Sequence, residues 1–291
     1  MNKSSMARYQ KTRVFHSAGN AHDTARGPGR IALIANFRRH LVPFNSMCSR
    51  LGMWFVPGGL PEDVLDQLIR EASCISEAGE RVAFISRRFL GTPYRESTLI
   101  GDLNTPEVFV INLKEMDCLT FLEYVEAMRR SSSFQGFQDN LLQVRYRSGT
   151  PDFLSRNHFF TDWPDTDGKF VRNVTQDVGG EAVLSVQKTL NRKADGTFFL
   201  PGIEPRERTV QYLPTARLKE PVISRLLTGD YAGIYTAEAG LDVSHAGIVI
   251  REQERVFLRH ASSRDRHRRV VDEDLAAYLR GKPGITVLRP R

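Results

Sequence analysis

A buried strand that leads directly into an Asp-Cys pair and an amphipathic helix is the feature that most constrains the fold of this chain. Residues 108–113 (Val-Phe-Val-Ile-Asn-Leu) are apolar and rich in β-branched and aromatic side chains, which predicts a strand. Apolar residues then recur at helical spacing at positions 121, 122, 125 and 128. Asp117 is a favourable helix N-cap, so Cys118 falls in the first helical turn.

Cys118 has two interpretations in this position. The N-terminus of a helix favours an anion, so it lowers the pKa of a thiol, and its backbone N–H groups can hold an oxyanion. Cys118 is therefore a candidate nucleophile. The alternative is a structural cysteine, because Phe121 and Leu122 follow on the core face and free cysteine is among the most buried residue types. The cysteine alone leaves both interpretations open.

A second segment supplies two histidines. Residues 242–250 and 256–262 are strand-like and flank the polar turn 251–255, which predicts a hairpin. His245 opens the first strand and His260 closes the second, so the two ends lie side by side in an antiparallel pair. A cysteine at a helix N-terminus with two such histidines has the nucleophile, base and orienting group of a cysteine hydrolase.

These motifs resemble the NlpC-type papain-like cysteine peptidases of bacterial cell-wall turnover, and more closely a branch described as N-acetylmuramoyl-L-alanine amidase-like. The resemblance extends to Phe-Leu-Gly-Thr-Pro-Tyr at 89–94, Arg-Asn-His-Phe-Phe-Thr-Asp-Trp at 156–163 and Gly-Asp-Tyr-Ala-Gly-Ile at 229–234. It covers roughly residues 60 to 291, with the motifs in the family's order. It implies that Cys118 is the nucleophile, His245 the base and His260 the residue that orients His245.

A further set of residues is predicted to bind substrate. Arginine pairs with carboxylates, and aromatic side chains pack on apolar faces of a sugar-bearing peptide. Under the alternative, Tyr94 packs on the preceding helix, and the aromatic residues of segment 156–163 fill the core. The predicted substrate-binding residues are Tyr94, Asp117, Arg156, His158, Asp162 and Trp163.

The basic charge of the chain is confined to its N-terminal part. Residues 1–50 hold nine Lys or Arg against Asp23 alone, whereas the other 241 residues hold 32 basic and 33 acidic ones. This distribution argues against nucleic-acid binding, which needs a basic folded surface. Three cysteines do not form a disulfide framework, no Cys/His spacing predicts zinc, and no apolar run is long enough for a membrane span.

The pattern is helical first and strand-rich later, which predicts an α+β fold. The resemblance makes it a papain-like (NlpC-type) fold with helices packed on an antiparallel sheet and a large insertion, residues 165–225, between the Cys helix and the His hairpin. We expect a basic, disordered arm at 1–55 and one catalytic domain at 56–291. We also expect helices from residue 62 and over 79–89, and a short helix in 270–279. Residues 131–155 should be a helix end followed by a loop. Strands are expected at 182–186, 197–200, 209–213, 229–236 and 285–288.

The resemblance implies a cysteine hydrolase that cleaves an amide of peptidoglycan through an acyl-enzyme on Cys118, with no metal or cofactor. Two amides are candidates: lactyl–L-alanine, and γ-D-glutamyl–diaminopimelate. An acyltransferase on the same scaffold and a non-catalytic cell-wall binding module are the alternatives. We expect a monomer acting on peptidoglycan or muropeptides in the periplasm or outside the cell, although residues 1–40 contain no clear signal peptide.

Overall fold

The computed structural model describes residues 42–43, 53–56, 58, 60–166 and 170–291. The helices are α1 Glu62–Ser73, α2 Ala78–Arg87, α3 Cys118–Arg129, α4 Phe134–Arg145, α5 Thr175–Gly179 and α6 Leu275–Leu279. The strands are β1 Val42–Pro43, β2 Met53–Val56, β3 Ile100–Asp102, β4 Thr105–Asn112, β5 Val171–Asn173, β6 Leu184–Leu190, β7 Arg206–Pro214, β8 Tyr231–Tyr235, β9 Val243–Glu252, β10 Arg255–Ala261, β11 Val270–Asp274 and β12 Gly284–Pro290.

Two sheets carry the fold. The larger sheet has the order β11-β10-β9-β8-β12-β7-β6, with β5 also paired to β12, and its strand pairs are antiparallel. The smaller sheet has the order β1-β2-β4-β3, in which β2 and β4 are parallel. Helices and mainly antiparallel sheets together confirm the predicted α+β class.

Helix α3 lies at the centre of the molecule. It packs against α1, α2 and α4 on one side and against β9 and β10 on the other. All twelve of its residues are buried, including Glu123, Glu126 and Arg129. Because burying an unpaired charge is costly, each of these charges has a partner inside the protein.

Two of the partners tie α3 to neighbouring elements. Arg145 of α4 donates to Glu123 over 2.8 Å and to the carbonyl oxygen of Val110 over 2.6 Å. The Tyr231 hydroxyl of β8 donates to Glu126 over 2.7 Å, and Arg129 pairs with the same carboxylate over 2.6 Å. These bonds fix α3 against α4, β4 and the larger sheet.

Most predicted elements are present. The helices expected from residue 62 and near 79–89 are α1 and α2, and the strand expected at 108–113 is β4. The hairpin is β9 and β10, and the strand expected beside His245 is β8. The insertion contains β6 and β7, and the last expected strand is β12.

Three local predictions were wrong. Helix α4 occupies much of the segment expected to be loop, because Phe134, Phe137 and Leu141 bury one face against the core. Residues 270–274 form strand β11 rather than helix, because they pair with β10. Residues 197–200 join no named strand, although the isolated Arg192–Phe198 bridge and hydrogen bonds with Asn191 and Lys193 tie them to the preceding residues.

The predicted N-terminal arm, residues 1–55, lies mostly outside the described residues. Strand β2 nevertheless begins at Met53, three residues inside that arm, and pairs with β4. Its last residues, Phe55 and Val56, are buried. The predicted boundary between residues 55 and 56 therefore falls inside β2. Among the described helices, none combines the length and apolar character needed to cross a membrane.

The buried Glu123–Arg145 pair yields a stability prediction. Arg145→Met should lower the free energy of unfolding by about 3–5 kcal/mol, because it leaves the Glu123 carboxylate buried without its guanidinium partner. Urea denaturation measures the loss. Arg172→Met is the matched control, since Arg172 pairs with Asp177 on the surface, and it should cost about 0–1 kcal/mol. Equal losses in the two variants would contradict the assignment.

Candidate active site

Cys118 is the first residue of α3 and is fully buried. Asp117 caps the helix: its Oδ1 accepts from the backbone N–H groups of Leu119 and Thr120, at 3.0 and 2.8 Å. Thr120 Oγ1 accepts from the backbone N–H of Asp117 in return, over 3.0 Å. This reciprocal capping box confirms the predicted helix start and holds Cys118 at the positive end of the helix dipole.

The two histidines meet on adjacent strands. His245 lies in β9 and His260 in β10, and both side chains are buried. His245 Nε2 and His260 Nδ1 are 2.7 Å apart. Gly247 makes room for this contact, because a Cβ at that position would lie only 2.9 Å from the Cβ of His260. The expected juxtaposition of the two histidines is therefore present.

Glu273 extends the pair into a chain of three side chains. It lies in β11, which pairs with β10, and its Oε2 is 2.9 Å from His260 Nε2. Arg264 pairs with the same carboxylate over 3.0 Å, and Arg266 also contacts it. We call the series Glu273–His260–His245 the relay.

The protonation states in the relay follow from its charges. Burial acts to raise the pKa of Glu273, but the hydrogen bond and charge of His260, with the charges of Arg264 and Arg266, lower it to about 2. Burial lowers the pKa of His245 well below its usual value and also lowers that of His260. At neutral pH the relay therefore holds one carboxylate and two neutral imidazoles.

Those states fix the direction of each hydrogen bond. A carboxylate only accepts, so His260 Nε2 carries the proton and donates to Glu273. A neutral imidazole has one N–H, so His260 Nδ1 must accept, and His245 Nε2 must donate to it. The remaining ring nitrogen, His245 Nδ1, then carries a lone pair. The relay thus presents His245 as a base.

Two tyrosines lie within electrostatic range of the cysteine, and one of them, Tyr278, also borders the relay. The Tyr278 ring of α6 lies 4.8 Å from the His260 ring and 6.1 Å from the His245 ring, between centroids. Burial raises the pKa of Tyr278, and the nearby charge of Cys118 contributes to the rise. The pKa of Tyr94 is raised by burial first and then by Cys118. Cys118 therefore lies within electrostatic range of both hydroxyl groups.

The predicted substrate-binding residues have different surroundings. Tyr94 and Asp117 flank Cys118: Tyr94 forms a backbone bridge with Met116, and Asp117 is the helix cap. Arg156 is buried and pairs with Glu107 over 2.5 Å.

The rest of segment 156–163 also makes internal contacts. His158 Nε2 lies 2.8 Å from the Phe153 carbonyl oxygen. Asp162 accepts from the Phe159 backbone N–H and pairs with Arg206. Trp163 is fully buried, with Phe170 and Tyr231 at its edges. This burial favours a structural role for the segment; substrate contact by its residues stays a prediction.

Glu273 and Tyr278 were not predicted as site residues. For Glu273 the cause was the helix predicted over residues 270–273, which removes the strand alternation that puts Glu273 beside His260. The available signal was the acidic run 272–274, which two valines separate from the mainly basic segment 264–269. A carboxylate in a strand neighbouring two histidines is a typical orienting partner.

The AmiA-like family, described as N-acetylmuramoyl-L-alanine amidase-like, matches residues 84–285, which include Cys118 and the relay. The chain belongs to this family. No curated protein matches the sequence significantly.

Solved structures share the family's fold. A Legionella pneumophila protein of the family DUF1460 superposes with a TM-score of 0.66 at 23% identity, covering 79% of this chain and 94% of that protein. A Bacteroides uniformis N-acetylmuramoyl-L-alanine amidase is similar in two structures. In one, the TM-score is 0.59 at 29% identity, with 74% of this chain and 99% of the amidase covered. In the other, the TM-score is 0.58 at 28% identity, with the same coverage.

The relay predicts the tautomers of its two histidines. Long-range proton–nitrogen NMR correlation spectra should show His245 and His260 both protonated on Nε2 at pH 7. Both rings should remain neutral as the pH falls through 6.5, the usual pKa of histidine, because burial lowers both values. Glu273→Gln should change the pattern, since its amide can donate to His260. A proton on His245 Nδ1 in the unaltered protein at pH 7 would refute the assignment.

Proposed function

We propose that this protein is a cysteine amidase of the NlpC-type papain-like superfamily, acting on peptidoglycan through an acyl-enzyme on Cys118. The observation that carries the proposal is the direction of the relay, which leaves His245 Nδ1 as a base. The AmiA-like family and the similarity to an amidase support peptidoglycan as the substrate. The relay combines two buried imidazoles with a partly exposed carboxylate, and neighbouring groups with shifted pKa values are typical of functional sites.

The reaction follows the chemistry of an activated thiol. His245 Nδ1 takes the proton of the Cys118 thiol, and the thiolate attacks the amide carbonyl carbon. The backbone N–H of Cys118, at the positive end of α3, is the donor we expect for the oxyanion. The C–N bond then breaks, and the leaving amine takes the proton from His245. Water activated by His245 hydrolyses the thioester and restores the thiol.

The relay stabilises the charged state of the base. When His245 takes the thiol proton it becomes an imidazolium, and its Nε2–H bond to His260 strengthens. Glu273 supports that charge through His260, while Asp117 keeps Cys118 at the helix start. His260 is therefore an orienting residue and Glu273 a positioning residue one step farther from the reacting atoms.

The burial of Cys118 has two consequences for this proposal. It agrees equally with a structural cysteine, so burial alone does not favour catalysis. It also requires side chains around Cys118 to move when the substrate carbonyl approaches. Tyr94 and Tyr278 lie near the thiol and are the side chains we expect to move.

Of the two candidate amides, the family description favours the bond between the lactyl group of N-acetylmuramic acid and L-alanine. The γ-D-glutamyl–diaminopimelate bond remains the alternative, as do an acyltransferase and a non-catalytic cell-wall binding module. We further propose that residues 56–291, extended upstream to include all of β2, form one catalytic domain. It would act as a monomer in the periplasm or outside the cell.

Digestion of purified muropeptides, followed by mass spectrometry, tests the proposed activity. A free muramic acid and an intact L-alanyl peptide identify the amidase, and cleavage after γ-D-glutamate identifies the endopeptidase. Transfer of the acyl group to an amine identifies the transferase. Cys118→Ala should abolish turnover without unfolding the protein. Cys74→Ala is the matched control, since Cys74 is exposed, and it should keep full activity. Full activity of Cys118→Ala would exclude the mechanism.

Kinetics on relay variants test the assigned roles. His245→Ala should lose the most activity, because it removes the base, and His260→Ala should retain some. Glu273→Gln should lower kcat by about 10- to 100-fold at unchanged KM, whereas Glu273→Asp, which still only accepts, should retain more. Asp272→Asn is the matched control: Asp272 pairs with Arg259 over 2.8 Å, so stability should fall while kcat does not. A Glu273→Gln variant with unchanged kcat would remove Glu273 from the relay.

A further inference from the structure

Two cations lie on the ring that borders the relay. Arg264 Cζ is 4.5 Å and Lys282 Nζ is 4.8 Å from the centroid of the Tyr278 ring. Lys282 follows helix α6, and its backbone N–H donates to the Leu279 carbonyl oxygen over 2.9 Å, which fixes the turn after the helix. The ammonium group is therefore held beside the relay by both the ring and the turn.

The two cations differ in their partners. Arg264 pairs with Glu273 over 3.0 Å, so a carboxylate offsets its charge. Within the part of the chain that the structure describes, the Lys282 ammonium forms no ion pair and no hydrogen bond. Burial lowers the pKa of Lys282 to about 8; the charge of Arg264 adds to the fall, and the charge of Glu273 opposes it. The direct contact of the ammonium is the Tyr278 ring, so its N–H donors are left for a bound anion.

Lys282 is close to the proposed chemistry. Its charge is one of the causes that lower the pKa of His245, after burial and His260. The Tyr278 ring on which it lies also borders His245 and His260. An anion that binds Lys282 would consequently lie next to the amide that His245 and Cys118 act on.

The stem peptide of peptidoglycan supplies such an anion. When glutamate is joined through its γ-carboxyl group, its α-carboxylate stays free. We propose that Lys282 binds this kind of carboxylate and so selects a peptide that carries a negative charge close to the scissile amide. The inference rests on the proposed function, because it takes a stem peptide as the substrate. Under the alternative, Lys282 only packs on Tyr278 and contacts water.

A pair of peptides that differ at one group tests the inference. Two synthetic N-acetylmuramoyl-L-alanyl-γ-D-glutamyl peptides are compared, one with a free α-carboxylate and one with that carboxylate converted to the carboxamide. Binding is measured by calorimetry on the full chain carrying Cys118→Ala, so that no turnover interferes. The carboxylate peptide should bind about 10- to 150-fold more tightly, the value of one charge-assisted hydrogen bond.

Variants of Lys282 then assign the preference. In the Cys118→Ala background, Lys282→Met should remove the difference in affinity between the two peptides, and Lys282→Arg should retain much of it. Arg280→Met is the matched control, since Arg280 is exposed two residues earlier, and the preference should stay unchanged. Circular dichroism and thermal melting check that each variant is folded; Lys282→Gln serves as a second neutral variant if Lys282→Met unfolds.

The outcomes separate the inference from the proposed function. Equal binding of the two peptides, or a preference that survives Lys282→Met, overturns the role of Lys282 even if muropeptides are hydrolysed. A preference that depends on Lys282, without hydrolysis by the unaltered protein, supports the binding site and overturns the amidase. If neither peptide binds, both the role of Lys282 and the proposed function are overturned.

Discussion

The internal pairing of the charges on α3 is the constraint on which the rest of the structure depends. A helix buried along its whole length cannot solvate Glu123, Glu126 or Arg129, so each of these charges must be paired inside the protein. Arg145 draws α4 onto α3, and Tyr231 draws β8 onto it. Because these bonds have strict geometry, they also set where the first residue of the helix lies against β9 and β10. The position of Cys118 is thus a product of contacts up to three turns away.

The relay works through a fixed direction of donors and acceptors. One end is a carboxylate kept ionised by its hydrogen bond to His260 and by the charges of Arg264 and Arg266, and the other two members are imidazoles kept neutral by burial. Neither group alone would decide which nitrogen of His245 is basic. Since each imidazole has a single proton to donate, the charge at Glu273 determines the state of an atom two side chains away. Arg264 and Arg266, which both pair with Glu273, therefore belong to the electrostatics of the site.

The sequence predicted the parts of the site that depend on local chemistry. Asp117 is recognisable as a cap and Cys118 as the first helical residue, because capping is decided within four residues. The placement of His245 and His260 at one end of a hairpin followed from their positions at the start of one predicted strand and the end of the next. Glu273 could not be found in this way, because its strand is defined by pairing with β10 and not by its own apolar pattern. Helix α4 was missed for a similar reason: Gly136 and a run of polar residues weaken its helical signal, while burial of Phe134 and Phe137 compensates.

Segment 156–163 shows a different limit of the sequence. Arginine, histidine, aspartate and two aromatic types in eight residues suggested a binding loop, because composition does not reveal whether a charge has an internal partner. Glu107, which pairs with Arg156, lies 49 residues earlier. An ion pair between residues so far apart in the sequence cannot be recognised from the neighbouring residues alone. The same residue types are therefore consistent with either a ligand site or a buried network.

The position of β12 has a consequence for the order of folding. This strand lies between β8 and β7, although it follows both by many residues in the chain. Until it inserts, the hairpin that carries the histidines and the hairpin of β6 and β7 have no strand in common. Such distant pairing makes assembly slow, since a long loop must close before any contact compensates for its lost entropy. The two halves of the larger sheet can therefore form separately. Pairing of β12 with both β8 and β7 is then a distinct, later step that joins the two halves.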